Sequence, residues 1–167
     1  VAPGVRWIAA YVALGSNLDD PPARVREAIA RFADLPGTRV AAVSRLWCTQ
    51  PVGPQDQPDY VNACAALLTQ LDAPALHAEL RALETRLGKV PPPVRFGPRR
   101  IDLDLLVHGD LVHRDALLEV PHPRLHERAF VLYPLAEIAP DLPVPGRGRV
   151  AVLLSRLPRG ADVPVPL

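Results

Sequence analysis

The succession of elements in this sequence predicts an α+β fold of ferredoxin-like type. It is a βαββαβ sandwich in which one antiparallel sheet carries both helices on a single face, with C-terminal additions. Three observations predict it. Apolar runs with strand character alternate with stretches of helical periodicity. Each helical stretch opens on an aspartate closely followed by proline, a start signal. No repeat or linker divides residues 1–167, so a single domain is expected.

The elements follow in order. Residues 7–14, within "WIAAYVALGSN", read as a strand closed by the turn formers Gly15, Ser16 and Asn17. "DDPPARVREAIARFADL" reads as a helix capped by Asp19 or Asp20, with Val25, Ala28, Ile29, Phe32 and Leu35 along one stripe. "TRVAAVSRLW" resumes strand character. Residues 49–60, "TQPVGPQDQPDY", form a loop too polar to bury itself, of a kind that often carries function. "YVNACAALLTQL" is the next strand. "DAPALHAELRALETRLG" is a second helix, capped by Asp72, with Leu76, Leu80, Leu83 and Leu87 on one face and Gly88 as its stop. The irregular "KVPPPVRFGP" precedes the strand "IDLDLLVHG". A hairpin around Gly109 and Asp110, a short helix in "VPHPRLHERAFVLYPLAEIAP" and a proline-rich tail complete the chain.

Composition narrows the function. A formal charge of +1 gives no electrostatic case for nucleic acid or a membrane surface as partner. No apolar run reaches the ~20 residues of a membrane span, and the opening residues lack the features of a secretory signal. Cys48 and Cys64 are too few and too far apart for a disulfide framework or a zinc knuckle. A cytoplasmic location is therefore expected. No apolar stripe is left over beyond what sheet and helices use, so a monomer is expected as well.

Asp102 and Asp104 stand out, because the run around them is otherwise what a buried strand requires. Side chains alternate along a strand, so the two carboxylates share a face while Ile101, Leu103 and Leu105 point to the core. Brought to about 5 Å, they would repel by on the order of 3 kcal/mol at an effective dielectric near 20. A divalent cation compensates such a pair well, since hard cations prefer carboxylate oxygen. A solvated sheet face also carries two acids without chemistry. The apolar flanks and the neighbouring Arg95, Arg99 and Arg100 weigh against that, being the ingredients of metal-dependent phosphoryl transfer. Gly88 and Lys89 lack the upstream glycine of a P-loop, so side chains and loops must hold any nucleotide.

With these residues in view, the chain resembles the 6-hydroxymethyl-7,8-dihydropterin pyrophosphokinase family of folate synthesis. The likeness runs through "YVALGSNL", "GPQDQPDYVNA", "RFGPRRIDLDLLVHGD" and "VPHPRLHERAFVLYPLAEIAP", four separated motifs in order. It implies the ferredoxin-like fold. It also implies transfer of the β,γ-pyrophosphoryl unit of ATP to the pterin hydroxymethyl group, giving AMP and the pterin diphosphate. By the same resemblance Asp102 and Asp104 hold two Mg²⁺ ions and leave either one as acceptor of the hydroxyl proton. Arg95 and Arg99 act beside them and contact ATP. His122 and Arg128 meet the phosphates, and Glu84, Lys89 and Phe96 lie on the nucleotide side. Tyr60 and Phe130 stack on the pterin, Asn62 bonds its edge, and Thr49 and Val52 belong to the loop supplying backbone contacts. Singly, each has an ordinary structural explanation: His122 as a loop histidine, Phe130 as a core aromatic, Glu84 as a helix-surface acid. Gly15, Ser16 and Asn17 are given a structural role as a tight turn.

The chain departs from the family pattern in places. The loop before the aspartate strand bears charge only at Lys89 and Arg95, and Pro91, Pro92 and Pro93 restrict its backbone. Phe96 stands where a tryptophan is frequent, and Pro123 where an aromatic is frequent. Two other classes remain in view. A nucleotidyl transferase or cyclase also uses paired acids, but leaves "GPQDQPDYVNA" and the segment from His122 to Arg128 without a role. A non-catalytic ligand-binding module would tolerate asparagine at both Asp102 and Asp104. The proline-bearing loop is expected to close less far and to contribute little phosphate binding. Replacing Pro92 and Pro93 with arginine or lysine should then lower KM for ATP in steady-state kinetics, and unchanged constants would contradict this.

Overall fold

The computed structural model describes residues 5–50, 58–89, 100–158, 160 and 162–167. Strand β1 (Ile8–Ser16) lies inside the sheet, antiparallel to both β4 (Tyr60–Thr69) and β5 (Asp102–His108). Its alternation divides the molecule. Ala10, Val12 and Leu14 join one buried cluster, whereas Tyr11 and Ala13 pack against another on the opposite face.

The first face carries helices α1 (Pro21–Arg31) and α2 (Ala73–Arg86), as the βαββαβ order requires. Val25, Ala28 and Phe32 from the first stripe, and Leu76, Leu80 and Leu83 from the second, are at most 2% exposed. Caps set both starts: Asp20 accepts from Ala23 N at 3.5 Å and Asp72 from Ala75 N at 2.9 Å. The second face is covered by α3 (Ala129–Ile138) and α4 (Val150–Ser155), packed on Cys64, Leu106 and Val107. Consecutive residues 106 and 107 reach that face because the β1–β5 register slips between Tyr11 and Val12, leaving Leu106 as a bulge.

The edge opposite β5 differs from the single strand expected over "TRVAAVSRLW". It is split into β2 (Thr38–Val43) and β3 (Trp47–Thr49), both paired to β4. Ser44 fills the break, its amide donating to Cys64 O and its hydroxyl accepting from Cys64 N, each at 2.9 Å. The proline-rich tail contains α4 and a short strand pairing with β3 through Val165 and Pro166. The turn at Gly109 and Asp110 forms, but the hairpin expected there does not. Two-residue strands β6 (His113–Arg114) and β7 (Glu119–Val120) pair instead, joined by a turn that Asp115 ties through Leu117 N and Leu118 N. No helix of the described residues is long and apolar enough to cross a membrane.

Candidate active site

Where the cover of α3 ends, the second face of the sheet opens into a cleft of about 1280 Å³. Two cross-strand rows form its floor. Asp102 pairs with Gly15 and Gly15 with Asn62, while Asp104 pairs with Ala13 and Ala13 with Cys64. The two carboxylates thus share one face of β5, as strand alternation demands. Gly15 lies within β1 rather than in a turn, and its missing side chain opens the floor between Asp102 and Asn62. A Cβ there would stand 2.8 Å from Asn62 Nδ2. A glycine inside a strand marks such a close approach, a sequence signal that reading the stretch as a turn passed over.

The cleft brings together Asp102, Asp104, Lys89, His122, Arg128, Thr49, Tyr60, Asn62 and Phe130. It adds Arg81, Arg124 and Tyr133, which the sequence did not single out. Val52, Arg95, Phe96, Arg99 and the prolines at 91, 92 and 93 lie outside the described residues. Arg100 is spent on structure, donating to Leu87 O at 2.9 Å and pairing with Asp19 at 2.7 Å.

Charge is organised around Glu84. Placed on the nucleotide side by resemblance, with a helix-surface acid as the ordinary alternative, it is 3% exposed and does not line the cleft. One carboxylate oxygen accepts from Leu103 N at 2.8 Å and from Lys89 Nζ at 3.0 Å, and the other meets Arg81 at 3.1 Å. The two cations continue outward, Lys89 to Asp102 at 2.7 Å and Arg81 to Asp104 at 3.6 Å. Lys89 reaches this position because Gly88, with φ of +88°, reverses the chain: Gly88 N donates to Thr85 O and Lys89 N to Glu84 O, both at 3.0 Å. Burial pushes the Glu84 carboxyl above its usual range, opposed by Arg81, the Leu103 amide and Lys89.

The far wall is cationic. His122 Nδ1 accepts from Arg124 N at 3.2 Å, which leaves the proton of the neutral ring on Nε2. Burial lowers the His122 pKa, with Arg128 adding to the effect and Asp104 opposing it. The ring is therefore a neutral donor at neutral pH. The Arg128 guanidinium lies 5.5 Å from the Phe130 ring centroid. At the other end, Thr49 Oγ1 donates to Asn62 Oδ1 at 3.0 Å, orienting the amide so that Nδ2 is its remaining donor. The rings of Trp47 and Tyr133 meet in a tilted contact with centroids 5.8 Å apart, and Glu137 accepts from Trp47 Nε1 at 3.1 Å and Arg45 N at 2.8 Å.

Among the described residues no group of three or more His, Cys, Asp or Glu could hold a metal ion. The donor set is two carboxylates on a rigid strand, with side chains 24% and 40% exposed, open to a cleft with cationic walls. That set fits a hard divalent cation that brings its remaining oxygen ligands with an anionic substrate. Paired acids, cationic walls and an adjoining aromatic and amide recess define a class, the small-molecule group-transfer enzymes. The chain belongs to the 7,8-dihydro-6-hydroxymethylpterin-pyrophosphokinase family, whose model matches residues 11–140. It is 46% identical over 148 residues to the 2-amino-4-hydroxy-6-hydroxymethyldihydropteridine pyrophosphokinase of Pseudomonas aeruginosa, covering 89% of this chain and 91% of that one. Identity to the Haemophilus influenzae enzyme of the same name is 40% over 149 residues, covering 89% and 92%. A crystal structure of a Plasmodium falciparum HPPK-DHPS triple mutant superposes with a TM-score of 0.69 at 11% identity, covering 93% of this chain. This chain spans 44% of that longer one, and at such identity the likeness shows the fold.

Gly15→Ala should displace the Asn62 amide and break its bond from Thr49 while leaving the sheet intact. Calorimetry with a hydroxymethylpterin ligand is expected to show affinity reduced about tenfold, or ~1.4 kcal/mol. Unchanged affinity would contradict the close approach as a requirement of the recess.

Proposed function

We propose that the cleft binds ATP and 6-hydroxymethyl-7,8-dihydropterin and transfers the β,γ-pyrophosphoryl unit to the pterin hydroxymethyl group, in folate biosynthesis. The observation that carries this reading is the cross-strand row Asp102–Gly15–Asn62, which sets a carboxylate and an oriented amide on one floor. By resemblance such a floor serves both substrates. Tyr60 and Phe130 offer faces to a flat ring, and Asn62 offers an in-plane donor. Arg124, Arg128 and the Nε2–H of His122 meet the triphosphate from the opposite wall. Arg95, Arg99 and Phe96 belong to the same nucleotide side by resemblance, as Val52 does to the pterin side.

Asp102 and Asp104 would hold two Mg²⁺ ions. When bound, Mg²⁺ supplies charge neutralisation on the triphosphate and lowers the pKa of the attacking hydroxyl. The side chains do the rest. The recess orients the hydroxymethyl oxygen, and the cationic wall fixes the β-phosphorus opposite it. The new bond joins that oxygen to the β-phosphorus. The bond from this phosphorus to the oxygen shared with the α-phosphate breaks, and AMP leaves with that oxygen. The hydroxyl proton passes to Asp102 or Asp104. Lys89 pairs with both Asp102 and Glu84, so it would keep Glu84 as partner were Asp102 to hold a metal ion.

We read residues 1–167 as one cytoplasmic domain acting as a monomer. The sheet continuous from β3 to β5 supports the single domain, and the free thiols of Cys48 and Cys64 suit a reducing compartment. The test of the reaction is product analysis with ATP, pterin and Mg²⁺. AMP rather than ADP is expected, dependent on both pterin and metal. Asp102→Asn and Asp104→Asn should each lower kcat by at least about a hundredfold. Intact kcat in both variants would overturn the roles given to the aspartates.

A further inference from the structure

Among the described residues, strand β5 is an edge strand, bonded to β1 on one side only. Between the two aspartates sits Leu103, whose side chain is fully buried beneath the sheet. In the register, Leu103 pairs with Leu14, with Asp102 and Asp104 facing Gly15 and Ala13. The backbone N–H and C=O of Leu103 are not left to solvent, nor do they meet another strand. Glu84 Oε2 accepts from Leu103 N at 2.8 Å, and the Arg81 guanidinium donates to Leu103 O. Arg81 and Glu84 stand three residues apart on α2 and pair with each other at 3.1 Å. Together they present one donor and one acceptor to β5, as a peptide unit of a neighbouring strand would.

We propose that Arg81 and Glu84 are positioning residues that stand in for a missing strand, clamping the Asp102–Leu103–Asp104 backbone so that both carboxylates are fixed before any metal arrives. The proposal rests on the reading of these aspartates as metal ligands. Two features separate it from a simple charge balance. The Glu84 carboxylate is buried, and the oxygen that meets Lys89 also accepts a backbone amide, a bond that neutralises no charge. The Arg81 contact to Asp104 is longer, at 3.6 Å between half-exposed groups, whereas the same guanidinium serves both Glu84 and Leu103 O. A fork that binds two acceptors at once is a property of arginine that lysine lacks. The polar face of a helix would thereby set the geometry of a site on the opposite face of the sheet, reaching it around the edge.

The experiment has two readouts on the folded full chain. Hydrogen exchange of the Leu103 amide, measured by NMR against Leu105 as internal reference, reads the clamp itself. Glu84→Ala should accelerate exchange at Leu103 at least tenfold, whereas Glu84→Gln, which keeps an acceptor oxygen, should preserve most of the protection. Equal exchange in wild type and Glu84→Ala would overturn the clamp. Mn²⁺ binding, followed by paramagnetic resonance in the presence of ATP, reads its consequence. Arg81→Ala and Arg81→Lys should both weaken Mn²⁺ binding about 10–100-fold, the loss usual when a residue supporting a metal ligand is removed. If Arg81 acts only as a counter-cation, Arg81→Ala tightens Mn²⁺ and Arg81→Lys matches wild type, and either result overturns the positioning role. Asp102→Asn is the control for the underlying reading. Should it leave Mn²⁺ affinity unchanged, the metal assignment fails, and Leu103 exchange alone decides whether the clamp exists.

Discussion

Two carboxylates held on the same face of an edge strand are the constraint around which the rest of the molecule is arranged. Their mutual repulsion, on the order of 3 kcal/mol at 5 Å, bears on a strand that among the described residues is bonded to β1 alone. The fold answers with partners on every side. Leu103 anchors the strand in the core below, β1 bonds its inner edge, and α2 supplies a donor and an acceptor to its outer edge. Lys89 and Arg81 bring positive charge to the carboxylates themselves, and buried Glu84 ties both cations in place.

The same sheet gives the site its room. The bulge at Leu106 turns two successive apolar residues toward α3 and α4, so the second face is sealed up to the row of Asp104, Ala13 and Cys64. One residue pair further along, glycine replaces a side chain and the cover stops. The cleft is thus the place where the layer of C-terminal helices runs out over a sheet floor chosen to be flat. Its contents divide by chemistry, with carboxylates and cations toward β5 and an amide with aromatic rings toward β3. That division suits a reaction joining a triphosphate to a flat heterocycle, which is the function proposed.

Much of this was legible in the sequence, for reasons that can be named. The helical stripes ending in Leu35 and Leu87 have a periodicity that one face of a helix explains, and both pack into the core. Asp102 and Asp104 stood out because charge within an apolar run is costly unless it is used. Arg81 was invisible because an arginine on a helix looks the same whether it meets water or the edge of a sheet. The burial of Glu84 is hidden for the same reason, since it depends on where β5 passes in space. The split at Ser44 escaped because the run around it keeps its apolar character while a side chain replaces a backbone pairing. Pairing of the tail with β3 is long-range, and no local pattern announces it.

The most direct measurement is a crystal structure with Mn²⁺ and an ATP analogue whose α,β bridge cannot be cleaved, using anomalous scattering to locate the metal. Two peaks are predicted, each roughly 2.1 Å from a carboxylate oxygen of Asp102 or Asp104 and from triphosphate oxygens, with the Leu103 backbone still bonded to Glu84 and Arg81. Metal density away from both aspartates, or nucleotide bound while Lys89 still holds Asp102 with no metal present, would contradict it.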